Sequence, residues 1–300
     1  MNCGENTFSS PSDDQSPKKQ SESTMPVVNG FAVEIPTLKS LFIEMCFGET
    51  VLSTGTAFLV ANNRESHCAL VTNRHNVTGR HQETGECLSK TGGVPNNIVI
   101  CFHKNNDFIG EWLPLRLPLY RSDESPYWFE HSILGEKIDV VALNLTWGSD
   151  VRKFPYYFET ELDRFGIVIG PAEPVSVIGF PFGYSSTSRF PIWTTGFLAQ
   201  ELSLITPENP SFLIDCRTRH GQSGSPVLAY RVGNYRKKNG DKISSVLSPT
   251  PVWEFLGIYS GRLNSESDIG RVWHACAVAD VLAVAAADAL RREQKDKGDV

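Results

Sequence analysis

Reactive chemistry is best suggested by His220-Gly221-Gln222-Ser223-Gly224-Ser225-Pro226. Ser223 has Gly221 and Gly224 on either side, residues that turn sharply without a Cβ penalty. Such a turn can hold a hydroxyl outward while backbone N–H groups converge beside it, the outline of a nucleophile with an oxyanion site. The same composition also describes an ordinary Gly/Ser/Pro turn between two strands. The rest of the chain has to decide between the two.

A serine hydroxyl is a poor nucleophile at neutral pH. It needs a neutral imidazole to take its proton, and the imidazole needs a carboxylate to fix its tautomer. Val71-Thr72-Asn73-Arg74-His75-Asn76-Val77 places His75 where an apolar strand runs out into a polar turn, so that its ring can leave the sheet and face a cleft. Lys137-Ile138-Asp139-Val140-Val141-Ala142-Leu143 sets Asp139 at the mouth of another apolar strand. Burial there is costly without a donor to accept from, and a histidine Nδ1 proton is such a donor. The plainer readings are a structural histidine and a charge that ends an edge strand.

The elements that must position these residues are strands. After a leader of polar residues over 1–30, short β-branched and aromatic runs are divided by Gly, Pro and Asn at close intervals. Twelve candidate strands lie between Lys39 and Val278, and they point to closed or stacked sheets. Tyr235 to Ser248 reads as a loop with Asn239-Gly240 as a turn pair and Arg236-Lys237-Lys238 as a solvated tip. One helix is predicted over 280–295, with Asp280 as its N-cap and Arg291, Arg292 and Lys295 near its C-terminus.

Composition narrows the partners. The net charge is −6, without a basic face or basic-aromatic interleaving, so nucleic acid is not expected. The leader has no secretory apolar region, and the most apolar stretch, Val272 to Ala287, is broken by His274 and Asp280, so no membrane span is expected either. Seven cysteines, Cys3, Cys46, Cys68, Cys87, Cys101, Cys216 and Cys276, are an odd number at irregular spacing. They predict free thiols in a reducing, cytoplasmic setting. His67, His81, Cys87 and His103 lack ligand spacing, so neither a metal nor an organic cofactor is expected.

Taken in order, Gly55-Thr56-Ala57-Phe58-Leu59-Val60, Leu70-Val71-Thr72-Asn73-Arg74-His75, Ile138-Asp139-Val140-Val141-Ala142-Leu143, Val177-Ile178-Gly179-Phe180-Pro181-Phe182-Gly183 and Gly221-Gln222-Ser223-Gly224-Ser225-Pro226-Val227 resemble the chymotrypsin-fold, trypsin-like serine peptidases. The nearest branch is the bacterial one that includes the Deg-type and glutamyl endopeptidases. The resemblance runs from about Leu41 to Leu290. It implies an all-β fold of two six-stranded antiparallel barrels, about 31–155 and 156–278, with a C-terminal helix clamping the second. It also implies His75 as general base, Asp139 as its orienting carboxylate, Ser223 as nucleophile, and the N–H groups of Gly221 and Ser223 as oxyanion donors. The implied reaction is endopeptidase cleavage of a protein or peptide, which would lie along Tyr259-Ser260-Gly261.

There are departures from the family pattern. Gln222 stands where digestive relatives carry an aspartate that pairs with a newly cleaved N-terminus, so activation by leader removal is not expected and other contacts must hold the oxyanion turn. Thr218 matches a specificity-pocket threonine of glutamyl endopeptidases, but Tyr259 replaces their histidine. Arg217, Arg219 and Arg262 could supply positive potential instead, predicting an acidic or amide side chain before the scissile bond. Two rivals are weighed. An α/β-hydrolase elbow with Asp268 and His274 is disfavoured by Ser225 and Pro226 after the serine. A trypsin-fold binding module that is silent, or activated by another protein, stays open. A peptidase working in cytoplasm needs narrow specificity or such an activating partner.

Overall fold

The computed structural model of the protein describes residues 27–28, 31–159, 163–264 and 266–298. The leader expected over residues 1–30 lies outside these apart from Val27–Val28, which pairs with Phe31–Ala32. The chain is mostly β, with two principal sheets and a C-terminal helix.

The first half is a nine-stranded sheet. Its central path runs Asn97–Lys104, Ser40–Phe47, Thr50–Ala61, Cys68–Thr72, Val141–Asn144, with neighbouring strands antiparallel. The second half is a closed barrel of six strands, Pro174–Gly179, Ile192–Leu198, Ser211–Asp215, Ile269–His274, Lys242–Arg262 and Pro226–Asn239. The expected pair of six-stranded barrels therefore fits the second half alone. In the first, the short strands Trp128–Phe129, Val151–Arg152 and Tyr156–Tyr157 extend the sheet, and the last of these joins Thr50–Ala61 in parallel.

Both faces of the central first-half strands are buried, each against a different core. Leu59, Leu70, Val141 and Leu143 pack with Leu41, Ile43, Ile98 and Ile100 inside the first half. Their neighbours Phe58, Val60, Val71, Val140 and Ala142 face a seam with Phe255 and Ile258 of the barrel and Val278, Val281, Leu282 and Ala285 of the helix. Alternation along a strand thus places apolar residues on both sides. At about 1.5–3 kcal/mol for each large side chain removed from water, this seam is a principal force joining the halves.

The helix spans Ala275–Gly298, beginning before the expected Asp280 cap. Strand Ile269–His274 leads straight into it, and the spacing of Val278, Val281, Leu282 and Ala285 makes one apolar stripe. Asp280 instead sits in the second turn and accepts hydrogen bonds from Ser132 N and Oγ, both at 2.7 Å. Asn144 Nδ2 donates to Ala285 O at 2.8 Å, so the helix ties down the first half as well as the second. No helix among the described residues is long and apolar enough to cross a membrane.

The segment read as a loop over Tyr235 to Ser248 is a continuous hairpin, paired from Tyr235 with Val246 to Asn239 with Lys242. Gly240, at φ +60°, makes the turn. Its side chains are largely exposed, so no apolar alternation marked these strands in the sequence.

Candidate active site

The ladder that pairs Thr72 with Val141 brings two chain ends together, Asn73 leaving one strand and Asp139 approaching the other. Asn73 Nδ2 donates to Asp139 O at 2.7 Å, fixing that junction. His75 follows on a short helix, Arg74–Thr78, rather than in the expected turn; Gly79 closes it at φ +64° with its N–H on His75 O at 2.9 Å.

Asp139 is fully buried. One carboxylate oxygen accepts His75 N–H at 2.8 Å; the other accepts His75 Nδ1 at 2.6 Å and Ser260 Oγ at 2.5 Å. Three donors on a buried carboxylate offset its loss of water. A neutral ring donating from Nδ1 keeps its lone pair on Nε2, the tautomer a base requires.

The Ser223 turn is held from several sides. Gly221 and Gly224 have φ +89° and +87°. A Cβ at Gly224 would fall 1.9 Å from Thr56 O, and one at Gly221 2.3 Å from Phe180 O; both obstacles are backbone, so these positions exclude side chains. Thr56 donates from N to Ser223 O and from Oγ1 to Gly221 O, each at 2.9 Å, and Asn76 Nδ2 donates to Ser223 O at 3.2 Å. Gln222 is buried; its Nε2 donates to Thr194 Oγ1 at 2.8 Å and its Oε1 accepts from Arg219 N at 2.8 Å. These are the contacts that hold the turn where a carboxylate is absent.

Phe182 N donates to His220 O at 2.5 Å. The C=O and N–H of a trans peptide point opposite ways, so this bond turns Gly221 N–H away from Phe182. Among the described residues neither Gly221 N–H nor Ser223 N–H donates to a protein acceptor.

His75 and Ser223 line one cleft of about 340 Å³, together with Tyr259, Ser260, Gly261, Arg219, Arg262 and Arg271. The Ser223 hydroxyl donates to Ser260 O at 2.9 Å, and among the described residues no hydrogen bond joins it to His75. Thr218 is not on the cleft wall: it is fully buried, its hydroxyl bonded to the Tyr259 hydroxyl. Burial pushes the Tyr259 phenol up to about 12 despite the Thr218 contact, so it stays a neutral donor. Arg217 is exposed and lies outside the lining residues, whereas Arg219 and Arg262 belong to them.

Sequence reasoning missed the part Ser260 plays toward Asp139, the Thr56 and Asn76 supports, and the Phe182 bond. Thr56 and Phe182 lay inside quoted motifs, but nothing in their spacing reveals a contact with a turn far along the chain. Among the described residues no group of three His, Cys, Asp or Glu side chains is placed to hold a metal.

No family model matches the chain, and no curated protein is similar to it. Among solved structures it is similar to an inactive form of the Rv3671c protease of M. tuberculosis H37Rv, with 18% identity, a TM-score of 0.45 and coverage of 84% of this chain and 88% of that one. The active form of Rv3671c gives 18% identity, a TM-score of 0.43 and coverage of 83% and 81%. A serine endoprotease from Yersinia pestis gives 11% identity, a TM-score of 0.47 and coverage of 86% and 69%.

Proposed function

We propose that this chain is a serine endopeptidase of the trypsin-like class, acting on proteins or peptides through His75, Asp139 and Ser223. The observation that carries the reading is the buried Asp139 carboxylate on His75 Nδ1 at 2.6 Å, in a cleft shared with Ser223. Ser223 Oγ attacks the scissile carbonyl while His75 Nε2 takes its proton. The carbonyl oxygen, now anionic, takes the N–H groups of Gly221 and Ser223. Collapse of this intermediate breaks the C–N bond, and His75 returns the proton to the leaving amine. Water, deprotonated by the same ring, then releases the acyl group. Ser260 steadies the carboxylate from the opposite half of the molecule, acting on the base as a positioning residue.

Ser223 must first rotate from Ser260 O toward His75. That resting hydrogen bond favours the second reading, a silent or partner-activated module. A fluorophosphonate probe decides between them. Wild type is expected to label, and Ser223→Ala to abolish labelling; a folded wild type that never labels supports the module.

The proposal extends to side-chain preference, branch and setting. Arg219, Arg262 and Arg271 on the cleft wall support an acidic or amide residue before the scissile bond, and peptide-library profiling that returned an aliphatic or basic preference would contradict it. Motif order supports the bacterial Deg-type and glutamyl branch. Six cysteines, Cys46, Cys68, Cys87, Cys101, Cys216 and Cys276, are free thiols, which supports a reducing, cytoplasmic setting and, with it, restraint by narrow specificity or a protein partner.

A further inference from the structure

Among the described residues, three arginines wall the cleft, Arg219, Arg262 and Arg271, against a single carboxylate, Glu83. Glu83 belongs to the loop that follows the His75 helix in the first half, and Arg271 to strand Ile269–His274 of the barrel. Arg271 Nη1 donates to Glu83 Oε1 at 2.8 Å, so this ion pair crosses the cleft from one half to the other. Arg219 is engaged by Asp268 at 3.3 Å. Arg262 has no carboxylate within ion-pair distance among the described residues.

The loop is built to present that carboxylate. Arg80 bridges to Cys87, His81 N donates to Glu86 O at 2.7 Å, and Gly85 N donates to His81 O at 2.9 Å. Next to Glu83, Gln82 Nε2 donates to Glu136 O at 2.6 Å, anchoring the loop to its own half. The Glu83 side chain itself is 58% exposed. An ion pair that open to water is worth no more than about a fivefold factor in an equilibrium, so an incoming anion can exchange with it.

We infer that Glu83 is an internal stand-in for an acidic side chain of the substrate. It holds Arg271 in the peptide-free protein, and a peptide bearing Asp or Glu takes over that guanidinium while Arg262 adds attraction. A neutral peptide has no charge to exchange for Glu83 and gains nothing from its release. Selectivity is then a difference between two competitors for one cation. This rests on the reading that the cleft takes a peptide, but not on bond cleavage.

The test uses full-length Ser223→Ala protein titrated calorimetrically with hexapeptides in which each position in turn is Glu or Gln. At one position the Glu peptide is expected to bind more tightly. Glu83→Gln should raise affinity for that peptide about two- to fivefold and leave its Gln counterpart unchanged. In an Arg271→Gln background, Glu83→Gln should have no such effect. Equal gains for both peptides, no Glu preference at any position, or no binding by any peptide would each overturn the inference. Fluorophosphonate labelling of wild type reports separately on the nucleophile. Labelling together with acidic-peptide binding that does not depend on Glu83 would sink the stand-in and keep the peptidase; Glu83-dependent acidic binding without labelling would do the reverse.

Discussion

Lys39→Met should be among the most damaging single changes in the protein although it lies outside the cleft. Lys39 and Asp163 are 5% and 0% exposed and form an ion pair at 2.7 Å. Lys39 Nζ also donates to Pro155 O at 2.6 Å, while Asp163 accepts from Trp253 Nε1 at 2.8 Å and Tyr157 N at 2.9 Å. The pair therefore joins the start of the first half, the connecting segment and a barrel strand. Burial pulls the Lys39 ammonium below the usual lysine range, and Asp163 pulls it back up. Removing the cation leaves a buried carboxylate held only by neutral donors, at a cost of about 3–5 kcal/mol. For a chain of this size that corresponds to a melting temperature lower by roughly 5–8 °C. Urea unfolding followed by tryptophan fluorescence measures the loss. Lys39→Met with Asp163→Asn removes both charges and should recover about 2 kcal/mol or more of it. A single variant within about 1 kcal/mol of wild type, the range of exposed ion pairs, would refute the reasoning. So would a double variant no more stable than the single.

Two further predictions concern titratable groups. Asp139→Asn should leave the fold intact but slow acylation of Ser223 by about 10⁴-fold, because an amide can stabilise the wrong imidazole tautomer; burst kinetics with an activated ester would show it, and a loss under tenfold would contradict the role. His103 is buried among Trp112, Phe154 and Phe190 with Nε2 on Leu38 O at 2.9 Å, and burial lowers it to about 4. As pH falls below 6.5 the unfolded chain takes up this proton first, so stability present above pH 6.5 should be lost progressively down to about pH 4. The loss is about 3 kcal/mol. His103→Phe should flatten that slope in a pH series of urea melts, and an unchanged slope would rule His103 out as its source.

The candidate residues His75, Asp139 and Ser223 stood out because each lies beside an apolar run. Cys68–Thr72 is buried along its whole length and stops just before His75, and Asp139 precedes the buried run Val140 to Leu143. What stayed hidden depends on the tertiary fold. Two-residue strands such as Tyr156–Tyr157 are too short to show alternation, and the hairpin shows none because, beyond Tyr235 and Val246, its side chains stay largely in solvent. The helix began early because Ala275, Ala277 and Val278 continue a strand's apolar texture without a break. The resting partner of Ser223 is a backbone carbonyl, and any residue type can supply one.

Ser260 Oγ reaching across to Asp139 has a consequence for how the protein is made. A ribosome releases His75 and Asp139 early, when neither Ser223 nor Ser260 has been synthesised. The nascent first half carries the His75–Asp139 pair with the Ser260 donor to that carboxylate still missing. Under the proposed mechanism the site is complete only once Ser223 and Ser260 have joined the first half, so an unfinished chain would lack the nucleophile.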